Sequence, residues 1–249
     1  MEKYFYKILI HLLHISYLFS NDSAFTIGQN NRQIGLFKPY VMATKNLEIS
    51  THPILFFIKP NFRVKKYLGK KYNFDFAGRF GFDYPTNFLK LIQREGTGGI
   101  LSIDPTIKKI PHLFIFQSEL LVTKKMTFFN ITNKIGLSFC PDCNLDPRNI
   151  IDLPVIYPRM KLYENKILSN IGFDLEYLLS DKIILNTDLD FLMLPKEDIF
   201  IEHKFLLNHL LSKKISLTTG YKLAYGKYPY GKQLDLYPLI DISFHWSRK

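Results

Sequence analysis

The 249-residue sequence has little that would suit a helical membrane protein. No segment after residue 24 offers the ~18 consecutive apolar residues that a membrane-spanning helix needs, so helical spans are excluded. Tryptophan occurs once and cysteine twice. Two cysteines are too few for a zinc site unless other ligands join them. What the chain has in abundance is phenylalanine and tyrosine, 22 and 15 residues.

Acidic residues are also fewer than basic ones, 22 against 33, and the formal net charge is +11. A basic surplus can indicate a nucleic-acid or anionic-membrane partner. Here most of the surplus sits in short turns, at Lys70–Lys71, Lys124–Lys125 and Lys213–Lys214. No recognition motif accompanies the charge, so a nucleic-acid partner is not predicted.

The most informative stretch is the hairpin Ile215–Trp246, in which apolar and polar residues alternate along both arms. Strict alternation is typical of β-strands, whose successive side chains point to opposite faces. Each arm is about ten residues or more, which is the length that a tilted transmembrane strand needs. The hairpin therefore predicts a transmembrane β-barrel that its last strand closes.

A second stretch, Tyr72–Tyr84, repeats the pattern with phenylalanine at Phe74, Phe76, Phe80 and Phe82. Four phenylalanines on one face need a covering layer in water but none in lipid. We expect an all-β fold, a transmembrane antiparallel up-and-down β-barrel of about 12 strands, with 10 as the alternative. Single strands are expected at 33–43, 47–58, 62–68 and 110–122, and a short helix at 87–95. The twelfth strand would come from residues 24–32 or from splitting 154–179.

Similar short turns recur, each with a charged residue after a hydroxyl or glycine. They are Thr44–Asn46, Gly69–Lys71, Thr123–Lys125, Ser180–Lys182 and Ser212–Lys214. Outer-membrane barrels have short turns on the periplasmic rim and longer loops outside. We assign these turns to the periplasmic rim. The expected external loops are 59–61, 85–109, 140–153, 195–199 and 226–232.

The N-terminus is typical of a signal peptide. Lys3 and Lys7 precede an apolar run from Ile8 to Phe19, which is too short to span a membrane as a helix. We predict a signal peptide over residues 1–24, with cleavage after Ser20 or Ala24, and a barrel domain over 25–249. The predicted location is the outer membrane of a Gram-negative cell. The expected partners are outer-membrane lipid and, through the C-terminal strand, the barrel-assembly machinery.

If the phenylalanine face contacts lipid, the opposite face lines the lumen. The candidate lumen-facing residues are Asp75, Arg79, Asp174, Glu176, Asp188, Asp190, Glu202, Lys204, Lys222, Asp235 and Asp241. Buried carboxylates need partners or water. Two interpretations stay open: a porin-like narrow pore for an ion or small solute, or a structural barrel whose lumen is filled by ion pairs. No catalytic residue, cofactor or metal site is predicted.

Cys140 and Cys143 form a C-P-D-C loop. A thioredoxin-like motif needs a strand-to-helix context that is missing here. In an exported protein, a local disulfide is the expected state.

Two further functions are alternatives. A lipid-modifying barrel enzyme would use histidines with serines or carboxylates at the outer rim, but no histidine has a recognisable triad or metal-ligand spacing. The segment Arg94–Gly99 is rich in glycine but lacks the lysine of a phosphate-binding loop. A soluble, secreted all-β binding protein is the other alternative.

Several stretches resemble a family of uncharacterised bacterial outer-membrane β-barrel proteins. The matching segments are Ser50–Asn61 (STHPILFFIKPN), Tyr84–Leu101 (YPTNFLKLIQREGTGGIL), Ile151–Met160 (IDLPVIYPRM), Phe200–Leu207 (FIEHKFLL) and Thr219–Gly231 (TGYKLAYGKYPYG). They are spread over most of the chain that follows the signal peptide. The resemblance implies a signal peptide and a barrel, and it implies no particular activity.

Overall fold

The computed structural model describes residues 23–92, 110–144, 154–195, 199–229 and 231–247. Within these residues, twelve strands form a closed barrel in which each strand pairs with its neighbours in the chain and the last strand pairs with the first. Every pairing is antiparallel. The predicted fold, an all-β up-and-down barrel of about 12 strands, is confirmed.

The strands are β1 (Asn31–Gly35), β2 (Tyr40–Ala43), β3 (Leu47–Thr51), β4 (Asn61–Lys71), β5 (Phe74–Asp83), β6 (Ile115–Lys125), β7 (Phe129–Phe139), β8 (Ile167–Ser180), β9 (Ile183–Met193), β10 (Phe200–Ser212), β11 (Ile215–Tyr228) and β12 (Gly231–Ser247). Among the described residues, four short helices lie in the connections: α1 (Pro53–Phe56), α2 (Thr86–Ile92), α3 (Tyr157–Met160) and α4 (Leu162–Asn165). No helix in the described ranges is long and apolar enough to cross a membrane.

The twelfth strand comes only in part from an expected source, because β1 takes Asn31 and Arg32 from the segment 24–32. Residues 33–43, expected as one strand, form parts of β1 and β2, which are joined by a connection that ends at Pro39. Residues 154–163, considered as a possible strand, contain α3 and the start of α4. The expected strand 47–58 ends at Thr51, and α1 follows it. Proline lacks a backbone N–H and restricts the residue before it, which favours a break in the strand at Pro39.

The wall has one apolar face and one polar face. Phe80 is 62% exposed on the outside of β5, and Ile135 and Leu236 are similarly exposed on β7 and β12. Their neighbours along the strands point inward and include charged residues such as Arg79, Lys134 and Asp235. An eleven-residue strand such as β7 covers roughly 25 Å when tilted by about 45°. That height matches the apolar band of a transmembrane barrel.

The two ends of the barrel differ as expected. The connections after β2, β4, β6, β8 and β10 are short and lie at one end, together with the start of β1 and the end of β12. The other connections include the four helices and lie at the opposite end, except the one between β1 and β2, which lies beside Ile242 of β12. Two of the predicted turns are shifted: Gly69–Lys71 and Thr123–Lys125 belong to β4 and β6.

The height of the wall is uneven around the barrel. β1, β2 and β3 contain only four or five residues each, whereas β12 contains 17. β1 pairs with Ser243–Ser247 of β12 and with no residue before them. Above β1–β3, a gap therefore separates the outer part of β12 from β4 among the described residues. We call this gap the notch.

Several predictions lie outside the described residues. The predicted signal peptide covers residues 1–24, of which only Ser23 and Ala24 are described. The segment Arg94–Gly99 and residues 145–153 of a predicted external loop also fall outside. The predicted helix over 87–95 corresponds to α2, as far as the description extends.

Candidate functional site

The lumen of the barrel concentrates the charged residues of the wall. All of the residues predicted to face the lumen occupy inward-facing positions in the structure. Asp75, Asp174, Asp188, Glu202 and Asp241 are all buried. The charged inward-facing and cap residues that the prediction did not include are Lys38, Glu48, Lys59, Arg63, Lys65, Glu119, Lys134 and Arg159. Asp83, which shares the predicted lumen-facing side of β5, also points inward. Cations and carboxylates therefore occur in similar numbers, and the lumen is not the acidic surface that the candidate residues alone suggested.

Lys134 forms the centre of an ion-pair cluster at mid-height. Its Nζ lies 2.6 Å from Asp188 and 2.8 Å from Asp190, and Lys204 contacts the other oxygen of Asp188 at 2.9 Å. Lys134 is 2% exposed, so its charge depends on these carboxylates. Gly172 makes the cluster possible, because a Cβ there would lie 2.1 Å from Asp190 Oδ1. We call this group the central cluster.

Beside it, Arg79 pairs with Glu119, and Asn170 donates to the same carboxylate at 3.0 Å. Nearer the short-turn end, Lys65 pairs with Glu48 at 3.1 Å. Asn130 donates to Glu176 at 2.9 Å. Polar partners thus line much of the height of the lumen.

At the outer end, a guanidinium from a connecting segment binds the wall. Arg159 on α3 donates to both oxygens of Glu202 on β10, at 2.6 and 2.7 Å. Lys222 on β11 donates to the same carboxylate at 2.7 Å. Burial acts to lower the pKa of Arg159, but the Glu202 carboxylate outweighs it and the pKa is raised. The arrangement fastens α3 to the wall, and we call it the latch.

A second outer group surrounds Asp83, at the end of β5. Arg63 donates to its two oxygens at 2.9 and 3.0 Å, and Lys59 lies 3.4 Å away. Burial lowers the pKa of the Lys59 amine, although the Asp83 carboxylate acts in the opposite direction. Burial also raises the pKa of the Tyr163 hydroxyl, and Asp83 adds to that effect. A connecting segment and the wall thus share a second charged contact.

Apolar residues from the long connections fill the outer mouth. Tyr157 packs its ring against Phe200 and Tyr228, with centroids 5.9 and 5.5 Å apart. Cys140 and Cys143 are disulfide bonded and fully buried in the same core. The other buried members are Phe88, Leu89, Ile110, Leu113, Ile115, Met160, Leu162, Tyr163, Leu168, Leu192 and Leu194. This core, which we call the cap, closes much of the outer mouth.

The described N-terminal residues enter the inner mouth. The backbone N–H of Ala24 donates to Thr123 at 2.8 Å, and Lys65 donates to the carbonyl of Phe25 at 2.7 Å. The N–H of Ile27 donates to Glu48 at 3.1 Å. Between this segment and the cap lies a cavity of about 530 Å³, which reaches from Ile27 and Lys65 to Arg159 and Tyr163.

The described histidines lie apart from one another in the structure. Ser216 and His245 lie 2.8 Å apart in the lumen, near the inner end. Among the described residues, no carboxylate is hydrogen-bonded to the His245 ring, so the group that would orient a catalytic histidine is missing. His203 contacts Thr187 at 2.9 Å, and His52 contacts the carbonyl of Phe37 at 3.1 Å.

No protein-family profile and no curated protein matches the chain. Among solved structures, it is similar to in-vitro folded OmpT, an outer membrane protein of Vibrio cholerae, with 8% identity and a TM-score of 0.43, over 94% of this chain and 73% of that one. A loop-deletion form of OmpT matches with 8% identity and a TM-score of 0.44 over 86% of this chain. The match covers 62% of the OmpT chain, which is less than two thirds of its length. The CymD monoaromatic hydrocarbon channel matches with 8% identity and a TM-score of 0.39, over 89% of this chain and 80% of that one.

Proposed function

We propose that the protein is an outer-membrane β-barrel whose lumen is a narrow passage for small polar solutes, constricted at its outer mouth by the cap. The observation that carries the proposal is the cavity of about 530 Å³ inside a barrel with an apolar outer face. A cavity of this size is within the range of small-molecule sites, roughly 300–1,000 Å³.

The apolar outer face supports the membrane location. Phe80, Phe173 and Ile240 expose about half or more of their surface on three different strands. A continuous apolar surface of this kind would aggregate in water but is stable in lipid. This face argues against the soluble secreted binding protein.

The charges inside support a selective passage. In the central cluster, two cations and two carboxylates compensate one another, so the wall at mid-height carries little uncompensated charge. A small solute with several hydrogen-bonding groups could form hydrogen bonds with the charged side chains that line the cavity. A bare ion would have to give up its water without gaining a matching charge. We therefore expect little steady ion current through the protein while the latch is intact.

The test is to refold the full chain into planar bilayers and liposomes, and to compare it with Arg159→Ala. The wild type should show no steady conductance steps but should admit small polar solutes in a liposome-swelling assay. Arg159→Ala removes the latch and should produce frequent conductance steps. Lys90→Ala, an exposed lysine on α2, is the matched control and should behave as wild type.

Large steady steps from the wild type would contradict the constriction by the cap and indicate an open pore. Heat-modifiable migration on a gel, with neither conductance nor solute uptake in any variant, would indicate a purely structural barrel and would refute the solute passage.

A further inference from the structure

The notch leaves one long strand edge without a neighbour among the described residues. β12 pairs with β11 from Gly231 to Phe244, but β1 covers it only from Ser243 onward. The N–H of Leu36 donates to the carbonyl of Ile242 at 3.1 Å, so the backbone groups of Ile242 point toward β1 and not toward β11. The other even-numbered residues of β12 direct their backbone groups to the same side. Because successive residues of a strand direct these groups to alternate sides, the five even-numbered residues from Lys232 to Ile240 direct theirs into the notch.

An edge of this kind is stable only where water or a polar head group reaches it, because each unsatisfied backbone group costs several kcal/mol in hydrocarbon. A strand from another chain could cover it. However, Pro238 is one of the five residues that face the notch, and proline has no N–H to donate. Proline on an edge strand hinders the addition of a further strand. The sequence therefore favours an edge that stays open.

Behind the notch, a small apolar group interrupts the charged inner surface. Leu206 and Leu239 point inward and are buried, and they pack with Val155. Phe37 and Tyr237 are partly buried against the same group. On the uninterrupted side of the wall, the corresponding inner surface holds the charges of the central cluster. An apolar strip thus leads from the lipid-facing side of β12 into the lumen.

At the outer end of this strip, a carboxylate lacks a partner. Asp235 lies on the inner face of β12, two residues from Tyr237, and its Oδ2 atom is buried without a hydrogen-bond partner in the part of the chain that the structure describes. A buried carboxylate oxygen of this kind is costly unless a donor reaches it. A cationic donor would also match its charge.

From these observations we infer that the notch is a lateral portal for a lipid of the surrounding bilayer. The acyl chain lies along the apolar strip formed by Leu239, Leu206 and Phe37, and an ammonium group of the lipid head donates to Asp235. This inference goes beyond solute passage and shares with it only the membrane-spanning barrel. The passage crosses the membrane, whereas the portal connects the bilayer with the interior.

The test uses tryptophan fluorescence of the full refolded chain in vesicles. Trp246 is the only tryptophan of the chain and faces lipid, so Trp246→Phe supplies a dark background. Tyr237→Trp in this background places the fluorophore behind the notch. Tyr67→Trp is the matched control: it replaces another inward-facing, half-exposed tyrosine, on β4 where neighbouring chain lies on both sides. Phosphatidylethanolamine and phosphatidylglycerol, each with brominated acyl chains, serve as quenchers.

Brominated phosphatidylethanolamine should remove most of the fluorescence of the Tyr237→Trp variant and little of the Tyr67→Trp variant. Adding Asp235→Asn to Tyr237→Trp should raise the lipid concentration for half-quenching roughly tenfold, the scale of a lost charged hydrogen bond. Brominated phosphatidylglycerol should quench the Tyr237→Trp variant more weakly, and Asp235→Asn should not change its effect.

Equal, weak quenching of the two tyrosine variants would overturn the portal. If native mass spectrometry then showed a dimer, the edge would instead be covered by a second copy. Equal quenching by both lipids, unaffected by Asp235→Asn, would overturn the role of Asp235. Solute uptake is measured separately, so failure of the portal and failure of the passage remain distinguishable.

Discussion

The central cluster and the cap fill the same barrel at two heights by opposite means. At mid-height, Lys134 is held by Asp188 and Asp190, and every partner comes from a wall strand. At the outer mouth, Tyr157 packs on Phe200 and Tyr228, and the segment that carries it connects β7 to β8. The first arrangement belongs to the wall, whereas the second is an apolar core added to it.

This difference indicates how each region should respond to damage. Charges inside a membrane barrel are stable only while they compensate one another, so loss of one partner affects the whole wall. Apolar packing in the cap can be weakened while the backbone ladder of the barrel stays intact. We therefore expect wall-wide effects from the central cluster and local effects from the cap.

The largest effect is expected from Lys134→Ala. It leaves Asp190 without the cation at 2.8 Å and should destabilise the barrel by about 3–5 kcal/mol. The measurement is the denaturant midpoint of the heat-modifiable gel band after refolding. Lys45→Ala, an exposed lysine in the turn after β2, is the control and should be neutral. A wild-type midpoint for Lys134→Ala would mean that the central cluster does not hold the wall.

Tyr157→Ala should act strongly but only at the outer mouth. Removing a buried aromatic ring typically costs about 3–5 kcal/mol. We expect rapid proteolysis of the connection between β7 and β8, with the heat-modifiable barrel band retained. Tyr157→Phe keeps the ring and should resist protease as the wild type does. Loss of the barrel band in Tyr157→Ala would show that cap and wall fold as one unit.

Phe80→Asp tests the difference between the two faces of the wall. Phe80 and the ion-paired Arg79 are adjacent on β5, but Phe80 faces lipid and Arg79 faces the lumen. A carboxylate on the lipid side should cost about 2 kcal/mol and block membrane assembly. The readout is the yield of folded protein in vesicles, with Phe80→Leu as the control. Normal insertion of Phe80→Asp would contradict the facing of this strand.

The smallest effect is expected from reducing Cys140–Cys143. The loop that the disulfide closes is very short, so the stabilisation from chain entropy should not exceed about 2 kcal/mol. A reductant should moderately increase proteolysis of the cap and leave the denaturant midpoint of the barrel unchanged. An unchanged digestion rate would show that the disulfide does not stabilise the cap.

The sequence was sufficient to predict which residues of the wall face lipid and which face the lumen, because side chains alternate between the two faces of a strand. Phe74, Phe76, Phe80 and Phe82 identify the lipid side of β5, and that choice places Asp75 and Arg79 inside without further information. The same rule could have found Lys134, which shares its parity with Thr132 and alternates with the apolar residues Ile135 and Leu137.

The latch could not be predicted in this way. Arg159 lies in a connection with no useful period, and its partner Glu202 is 43 residues away. The break of residues 33–43 into β1 and β2 was also missed. Pro39 made a single strand over 33–43 less favourable, but a proline is compatible both with an edge strand and with a reversal of the chain. Only the pairing of β1 with β12 and of β2 with β3 shows that the chain reverses here.

The short first strand also has a mechanical consequence. β1 and β2 share only the pairs Arg32↔Met42 and Gln33↔Val41, while β11 and β12 are joined continuously from Ile215↔Phe244 to Tyr228↔Gly231. Under a force that separates neighbouring strands, the pairing should break first between β1 and β2, because the fewest hydrogen bonds resist the force there. Single-molecule extraction from a bilayer should therefore show an early, low-force event from the N-terminal strands, followed by hairpin-sized steps of higher force.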